Sequence, residues 1–341
     1  MARQLVISEP LRVAYEEREV GAPGPGQARV RTLLSGISHG TEMVAFLGRS
    51  PFIGKKFTAD RIFVPKQAGD PPFYPYRYAG YDTVAEVIAA GPGAARWAVG
   101  DRVFLPAPHQ TERIVEAENP EMLKLRPSTH PEDAIMMSLG GVAFVAVQDA
   151  EVKLGDTVVV VGGGAVGQLA VQQAFLAGAR RVFLVEPNAA RRRLATQISA
   201  VTPVEPGAIR EQNDGRWPDV VIECSGVIAG LKTAIQCAGV AGTVVVVGFY
   251  AEPATALVLG EEFLHNRITI KASMGVWGCP SRWPDQWGRV RILQTVLALI
   301  EDNRLRFDGF VSLRVPFAEA QRAYETICNE PQHLKVVLTY D

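Results

Sequence analysis

The chain has 341 residues, 48% of them hydrophobic and 21% charged, with a formal net charge of −1. The near-neutral balance excludes a nucleic-acid footprint, and no apolar run reaches membrane-spanning length. Arg3 and Glu9 interrupt the N-terminus, so no signal peptide is expected. Such a length exceeds one typical core and predicts two domains. Cys224, Cys237, Cys279 and Cys328 lie far apart without a CxxC, which argues against a disulfide framework or a zinc cluster and fits a reducing cytoplasm.

Residues 1 to about 127 predict short strands separated by turns. Leu5–Ile7 and Leu11–Tyr15 suggest a hairpin around Glu9-Pro10. Over 28–34, Val30, Thr32 and Leu34 alternate with Arg29, Arg31 and Leu33, as a half-buried strand requires. Further strands are expected at 84–88 and 102–104. Between them, 49–78 reads as an irregular segment rich in cations (Lys55, Lys56, Arg61, Lys66, Arg77) and aromatics. Long loops are often functional, so this segment is either a solvated flap or a lid for an anionic or polyhydroxylated substrate.

The centre of the chain is more explicit. Asp156-Thr157 and four valines run into Gly-x-Gly-x-x-Gly at Gly162, Gly164 and Gly167, with Ala165 and Val166 opening the following helix. A buried strand turning on glycines into a helix leaves backbone N–H groups free to hold a pyrophosphate. A second strand, 181–185, ends at Glu186, where an acid accepts the ribose hydroxyls. This carboxylate favours NAD; Arg191 in the run Arg191-Arg192-Arg193 leaves NADP open. Alternating strands and helices continue through 219–226 and 242–248, predicting an α/β doubly wound parallel sheet. Ser225, Gly226, Gly248 and Phe249 then fall at strand carboxyl ends, beside the cofactor. A strand at 268–273, a Gly/Trp/Pro loop containing Arg282, Trp283 and Pro284, a helix at 290–300, and a strand, helix and strand complete the chain.

The phrases Val99-Gly100-Asp101-Arg102-Val103, Leu154-Gly155-Asp156-Thr157-Val158, 219–226 and Lys335-Val336-Val337-Leu338 together resemble the medium-chain dehydrogenase/reductase superfamily. The resemblance covers nearly the whole chain. It implies a GroES-like β-rich catalytic domain (1–127 and 277–341), a Rossmann domain (128–276), Lys335 as a cation near the cofactor pyrophosphate, and a homodimer paired through the strand at 268–273.

The chain departs from the zinc alcohol dehydrogenases of that superfamily. Where they carry Gly-Ile-Cys-Gly-Thr-Asp, this chain has Gly36-Ile37-Ser38-His39-Gly40-Thr41-Glu42, and where they carry Gly-His-Glu it has Gly80-Tyr81-Asp82. The structural zinc loop is missing. Hydroxyls are poor zinc ligands beside thiolate and imidazole, so no zinc is expected; His39, Asp82 and His109 are the residues from which a metal site would have to be rescued. The two phrases, with Glu262-Phe263-Leu264-His265-Asn266-Arg267, look closest to the zinc-lacking branch containing bacteriochlorophyllide-type hydroxyethyl dehydrogenases. Without a Lewis acid, Ser38, His39, Thr41 and Tyr81 are the candidate donors to the substrate oxygen, as general acid or base. His109 is expected at the surface. The expected reaction is NAD(P)-dependent hydride exchange with a secondary alcohol or ketone of a functionalised small molecule. The alternatives are a zinc-independent enoyl or quinone reductase using NADPH, and a redox-neutral epimerase with bound NAD.

Overall fold

The computed structural model describes residues 1–205, 207–282 and 286–340. Trp283 and Pro284 of the late loop lie outside the described residues. Two compact units result: Met1–Ile135 with the return from Ser312 onward, and Met136–Val311. Residues 277–311 thus cluster with the parallel sheet, where the sequence reading assigned them to the β-rich part. Ile292, Leu293, Val296, Leu297 and Ile300 form the buried stripe of helix Arg289–Glu301. That stripe packs on helix Met137–Asp149 at Gly140 and Gly141, where a Cβ on Gly140 would lie 2.6 Å from Val296 Cγ1.

In the second unit a six-stranded parallel sheet runs Thr202–Val204, Arg181–Val185, Thr157–Val161, Val220–Glu223, Thr243–Val246, Thr269–Ala272. The order reverses between Thr157–Val161 and Val220–Glu223, which are hydrogen-bonded neighbours. Open α/β sheets bind ligands at such a switch point, outside the strand carboxyl ends. Val158, Val159, Val160 and Val161 are all buried, as strands covered on both faces require. The edge strand Thr202–Val204 was missed because its Thr-Pro-Val carries no periodic signal. Thr269–Ala272 is the opposite edge, and its residues are largely exposed.

The first unit is built on strand Gln27–Gly36, which pairs antiparallel with Thr83–Ala90, Glu112–Glu116 and Lys335–Thr339. The hairpin Ala2–Glu9/Arg12–Arg18 packs Leu5 and Ile7 into a core shared with Phe46, Tyr324, Val336 and Leu338. The C-terminal return is therefore part of this core. The segment 49–78 is not wholly irregular: Lys55–Phe57 and Phe63–Pro65 form a hairpin, with Phe52, Phe57 and Phe63 in mutual ring contact. Its cations are engaged locally. Lys55 lies over Phe63, Lys56 pairs with Asp70, Lys66 donates to Pro71 O, and Arg77 pairs with Glu16.

Candidate active site

In the first unit, strand Gln27–Gly36 delivers Ser35 and leads into helix Thr41–Phe46. Gly40, not Thr41, occupies the N-cap, and no side chain caps this helix. Ser38 is buried, and the Tyr81 hydroxyl donates to its Oγ at 2.7 Å. Thr41 also hydrogen-bonds the Tyr81 side chain. Three of the four candidate donors therefore meet at one phenol. His39 is half-buried just before the helix. Burial, followed by the negative charge of Asp82, pushes the Tyr81 phenol far above its ordinary range.

Beneath this pair lies a polar network whose residues the sequence did not join. Glu42 is fully buried. One carboxylate oxygen accepts the Ser38 main-chain N–H at 2.7 Å. The other accepts the Tyr324 hydroxyl at 2.7 Å and lies 2.9 Å from His109 Nε2. Burial raises the Glu42 pKa, but His109 and the other hydrogen bonds more than offset it and leave the carboxyl below its ordinary value. His109 is likewise fully buried, correcting its expected surface position. Its Nδ1 lies 2.7 Å from Ser35 Oγ, which is 2.7 Å from the Tyr340 hydroxyl. The ring packs so closely on Gly80 (φ +97) that a Cβ there would stand 2.7 Å from the His109 main-chain N.

Asp82 and Lys335 form a second buried pair, Oδ2 to Nζ 3.0 Å, with both side chains at most 1% exposed. The Lys335 ammonium, expected near a pyrophosphate, is thus held inside the first unit. Gly36 makes the room: a Cβ there would lie 2.4 Å from Lys335 Cε.

These contacts decide how the donor set suits a metal. Ser38 and Tyr81 offer hydroxyls, His109 has both ring nitrogens committed, and Asp82 is paired with Lys335. Among the described residues no group of three or more His, Cys, Asp or Glu is arranged to hold an ion. Hydroxyls are poor zinc ligands beside thiolate and imidazole.

In the second unit the glycine loop has the geometry a dinucleotide needs. Gly162 adopts φ +98, and a Cβ on Gly167 would stand 1.8 Å from Gly162 O, so helix Ala165–Ala177 can approach the strand only with glycine there. Gly164 is the N-cap, and the space where its Cβ would stand is open. Glu186 accepts the Gly163 N–H at 2.6 Å and the Asn188 N–H at 2.7 Å, which fixes its carboxylate at the loop. Arg191 Nη1 lies 3.8 Å from Glu186 Oε2, and Arg192 donates to Glu186 O and pairs with Glu205. The arginine run is therefore not simply a solvated face; only Arg193 is exposed.

Ser225, Gly226, Gly248 and Phe249 collect around Glu223, at the carboxyl end of its strand. Glu223 accepts Ser225 N–H at 2.7 Å and the hydroxyls of Ser225 and Tyr250. Burial raises the pKa of Glu223, and burial then Glu223 raise that of Tyr250, so the contact is held by a neutral phenol. A Cβ on Gly162 would meet Ser225 at 2.7 Å, which brings this turn against the glycine loop. Glu223 was legible as a strand end but not as an anchor, and Tyr250 carried no signal at all. Arg282 donates to Gln148 at 2.8 Å and lies over Trp287.

The family described as zinc-binding dehydrogenase matches residues 165–290, which lie in the second unit and include neither Ser38 nor Tyr81. The chain is 30% identical to D-guloside 3-dehydrogenase of Shigella flexneri, across 99% of this chain and 100% of that protein. It is 28% identical to 2-desacetyl-2-hydroxyethyl bacteriochlorophyllide A dehydrogenase of Rhodobacter capsulatus, across 100% and 99%. A solved Sinorhizobium meliloti structure, named as a zinc-binding dehydrogenase and bound to NADP, has a TM-score of 0.75 at 20% identity over 99% of both chains.

Proposed function

This chain belongs to the medium-chain, alcohol dehydrogenase-like dehydrogenase/reductase family, and from that premise we propose that it oxidises a secondary alcohol of a polyhydroxylated substrate, or reduces the matching ketone, without a catalytic zinc. The observation that carries the proposal is the Tyr81–Ser38 hydroxyl pair; by the resemblance Tyr81 stands where zinc relatives hold a histidine ligand, and either Ser38 or His39 where they hold the cysteine.

NAD, when bound, supplies the hydride acceptor. The main chain at 162–167 would hold its pyrophosphate, and Glu186 its ribose hydroxyls. The Glu186 carboxyl group would crowd and repel a 2′-phosphate, which favours NAD; Arg191, 3.8 Å from Glu186, keeps NADP within reach. At the substrate oxygen, Tyr81 donates to Ser38 Oγ, which leaves the Ser38 proton free to donate onward. In reduction the carbonyl carbon takes the hydride and its oxygen takes the Ser38 proton, which Tyr81 replaces; in oxidation the alcohol proton runs back along the same two hydroxyls as the hydride leaves, and the phenol exchanges its proton with solvent between turnovers. Thr41, bonded to the same phenol, supports the chain, and His39 flanks it.

The named substrate of the D-guloside relative supports a hexoside as the class. Methyl hexopyranosides with NAD should give a rise in NADH absorbance; no turnover of any hexoside in either direction would sink the sugar reading. The exposed edge strand Thr269–Ala272 supports a homodimer formed by edge pairing. Sedimentation should give twice the chain mass, and a monomer at micromolar concentration would sink it.

A further inference from the structure

We infer that Glu42 and His109 are positioning residues: their buried pair, pinned by Tyr324 and Tyr340, fixes the Ser38 main chain and through it the Tyr81–Ser38 donor chain. The inference rests on the donor role just proposed and extends it to residues that touch no substrate.

The hydrogen bonds settle the protonation pattern. Glu42 is the acceptor for Ser38 N–H and Tyr324 O–H, and its carboxyl lies below the ordinary range, so it is ionised. Nε2, at 2.9 Å from that carboxylate, must then carry a proton and donate. Nδ1 has two complete arrangements. With neutral imidazole, Ser35 donates to Nδ1 and Tyr340 donates to Ser35 Oγ. With imidazolium, Nδ1–H donates to Ser35 Oγ and Ser35 donates to Tyr340. Both arrangements use the same 2.7 Å contacts. Glu42 therefore keeps its His109 partner in either charge state, and Ser38 keeps its main-chain anchor.

The pinning comes from the C-terminal return at three points. Tyr324, on helix Ala320–Asn329, reaches Glu42; Tyr340 reaches Ser35; Lys335 reaches Asp82, the residue next to Tyr81. These contacts end at Glu42, which holds the Ser38 N–H, at Ser35, which holds His109, and at Asp82, the neighbour of Tyr81. Buried polar groups of this kind are costly unless every member is satisfied, and here each is.

Amide exchange and kinetics test the inference. In wild-type protein the Ser38 amide should exchange slowly, and Glu42→Gln should speed it at least tenfold while the amides of Thr157–Val161 keep their rates. His109→Gln retains a donor toward Glu42 and should keep kcat within about fivefold of wild type with NAD and methyl hexopyranosides. His109→Leu should lower kcat about 30-fold or more at unchanged KM. Nitrogen-labelled histidine spectra should show the proton on Nε2. Unchanged Ser38 exchange in Glu42→Gln, a proton absent from Nε2, or equal kcat loss in the Gln and Leu variants overturns the inference alone. A wild-type enzyme that shows the exchange pattern yet turns over nothing overturns the donor reading and the inference with it.

Discussion

In the proposed reaction, Tyr81 is the residue on which the chemistry turns. Its hydroxyl hydrogen-bonds Ser38, and its buried surroundings beside Asp82 disfavour the phenolate. A phenol whose ionisation is moved upward stays protonated through neutral and mildly alkaline pH. In the proposed reaction its resting form is the neutral phenol, donating to Ser38. Two outcomes follow for one variant series. Tyr81→Phe removes the donor to Ser38 and should lower kcat by about 10²–10³-fold with little change in cofactor KM. The wild-type kcat profile should carry no inflection from Tyr81 below the ordinary phenol value of 10.0. An inflection near neutrality that vanishes in Tyr81→Phe would show a phenolate base and contradict the donor role. At this scale the sequence supplied the pair but not its support. Ser38 and Tyr81 were found as departures at metal-ligand positions, whereas Glu42 and His109 stand 67 residues apart, and only folding brings them within 2.9 Å.

At the scale of elements, the two units were legible to different degrees for a physical reason. The parallel sheet is encoded locally: its buried strands are short apolar runs, and the first two turns carry a glycine and an Asn cap. Gly162–Gly167 and the Asn188 cap of helix Ala189–Ile198 can be read within a dozen residues. The antiparallel sheet is not encoded that way. Strand Lys335–Thr339 pairs with Gln27–Gly36 across most of the chain, and its lysine is buried because Asp82 neutralises it. A lysine in an apolar strand carries no sign of which carboxylate will meet it. This pair also makes a sharp stability prediction. Lys335→Met leaves Asp82 buried without that counter-ion and should cost about 3–5 kcal/mol, read as a loss in the urea midpoint of the first unit. Adding Asp82→Asn should recover much of it. A single variant as stable as wild type would show that the pair contributes no more than an apolar contact.

For the molecule as a whole, the family and the reaction class stood on two independent supports. One is the glycine loop with Glu186 held beside it; the other is full-length similarity to dehydrogenases. The matched zinc-binding dehydrogenase region lies in the second unit, while the proposed donors Ser38 and Tyr81 lie in the first and carry hydroxyls. There the Tyr81 hydroxyl is bonded to Ser38, Asp82 is paired with Lys335, and His109 with Glu42 and Ser35, the arrangement from which zinc-free chemistry is proposed. The substrate class was the least legible feature, because cations of 49–78 that suggested it from sequence, Lys55, Lys56, Lys66 and Arg77, are engaged with neighbouring side chains and carbonyls. The most direct measurement is turnover by chelator-stripped protein, shown to be zinc-free by elemental analysis, using NAD and a methyl hexopyranoside deuterated at the oxidised carbon. Zinc-free hydride exchange predicts undiminished deuterium transfer to the nicotinamide that Tyr81→Phe suppresses. Loss of transfer on stripping, restored by one equivalent of zinc, would contradict it.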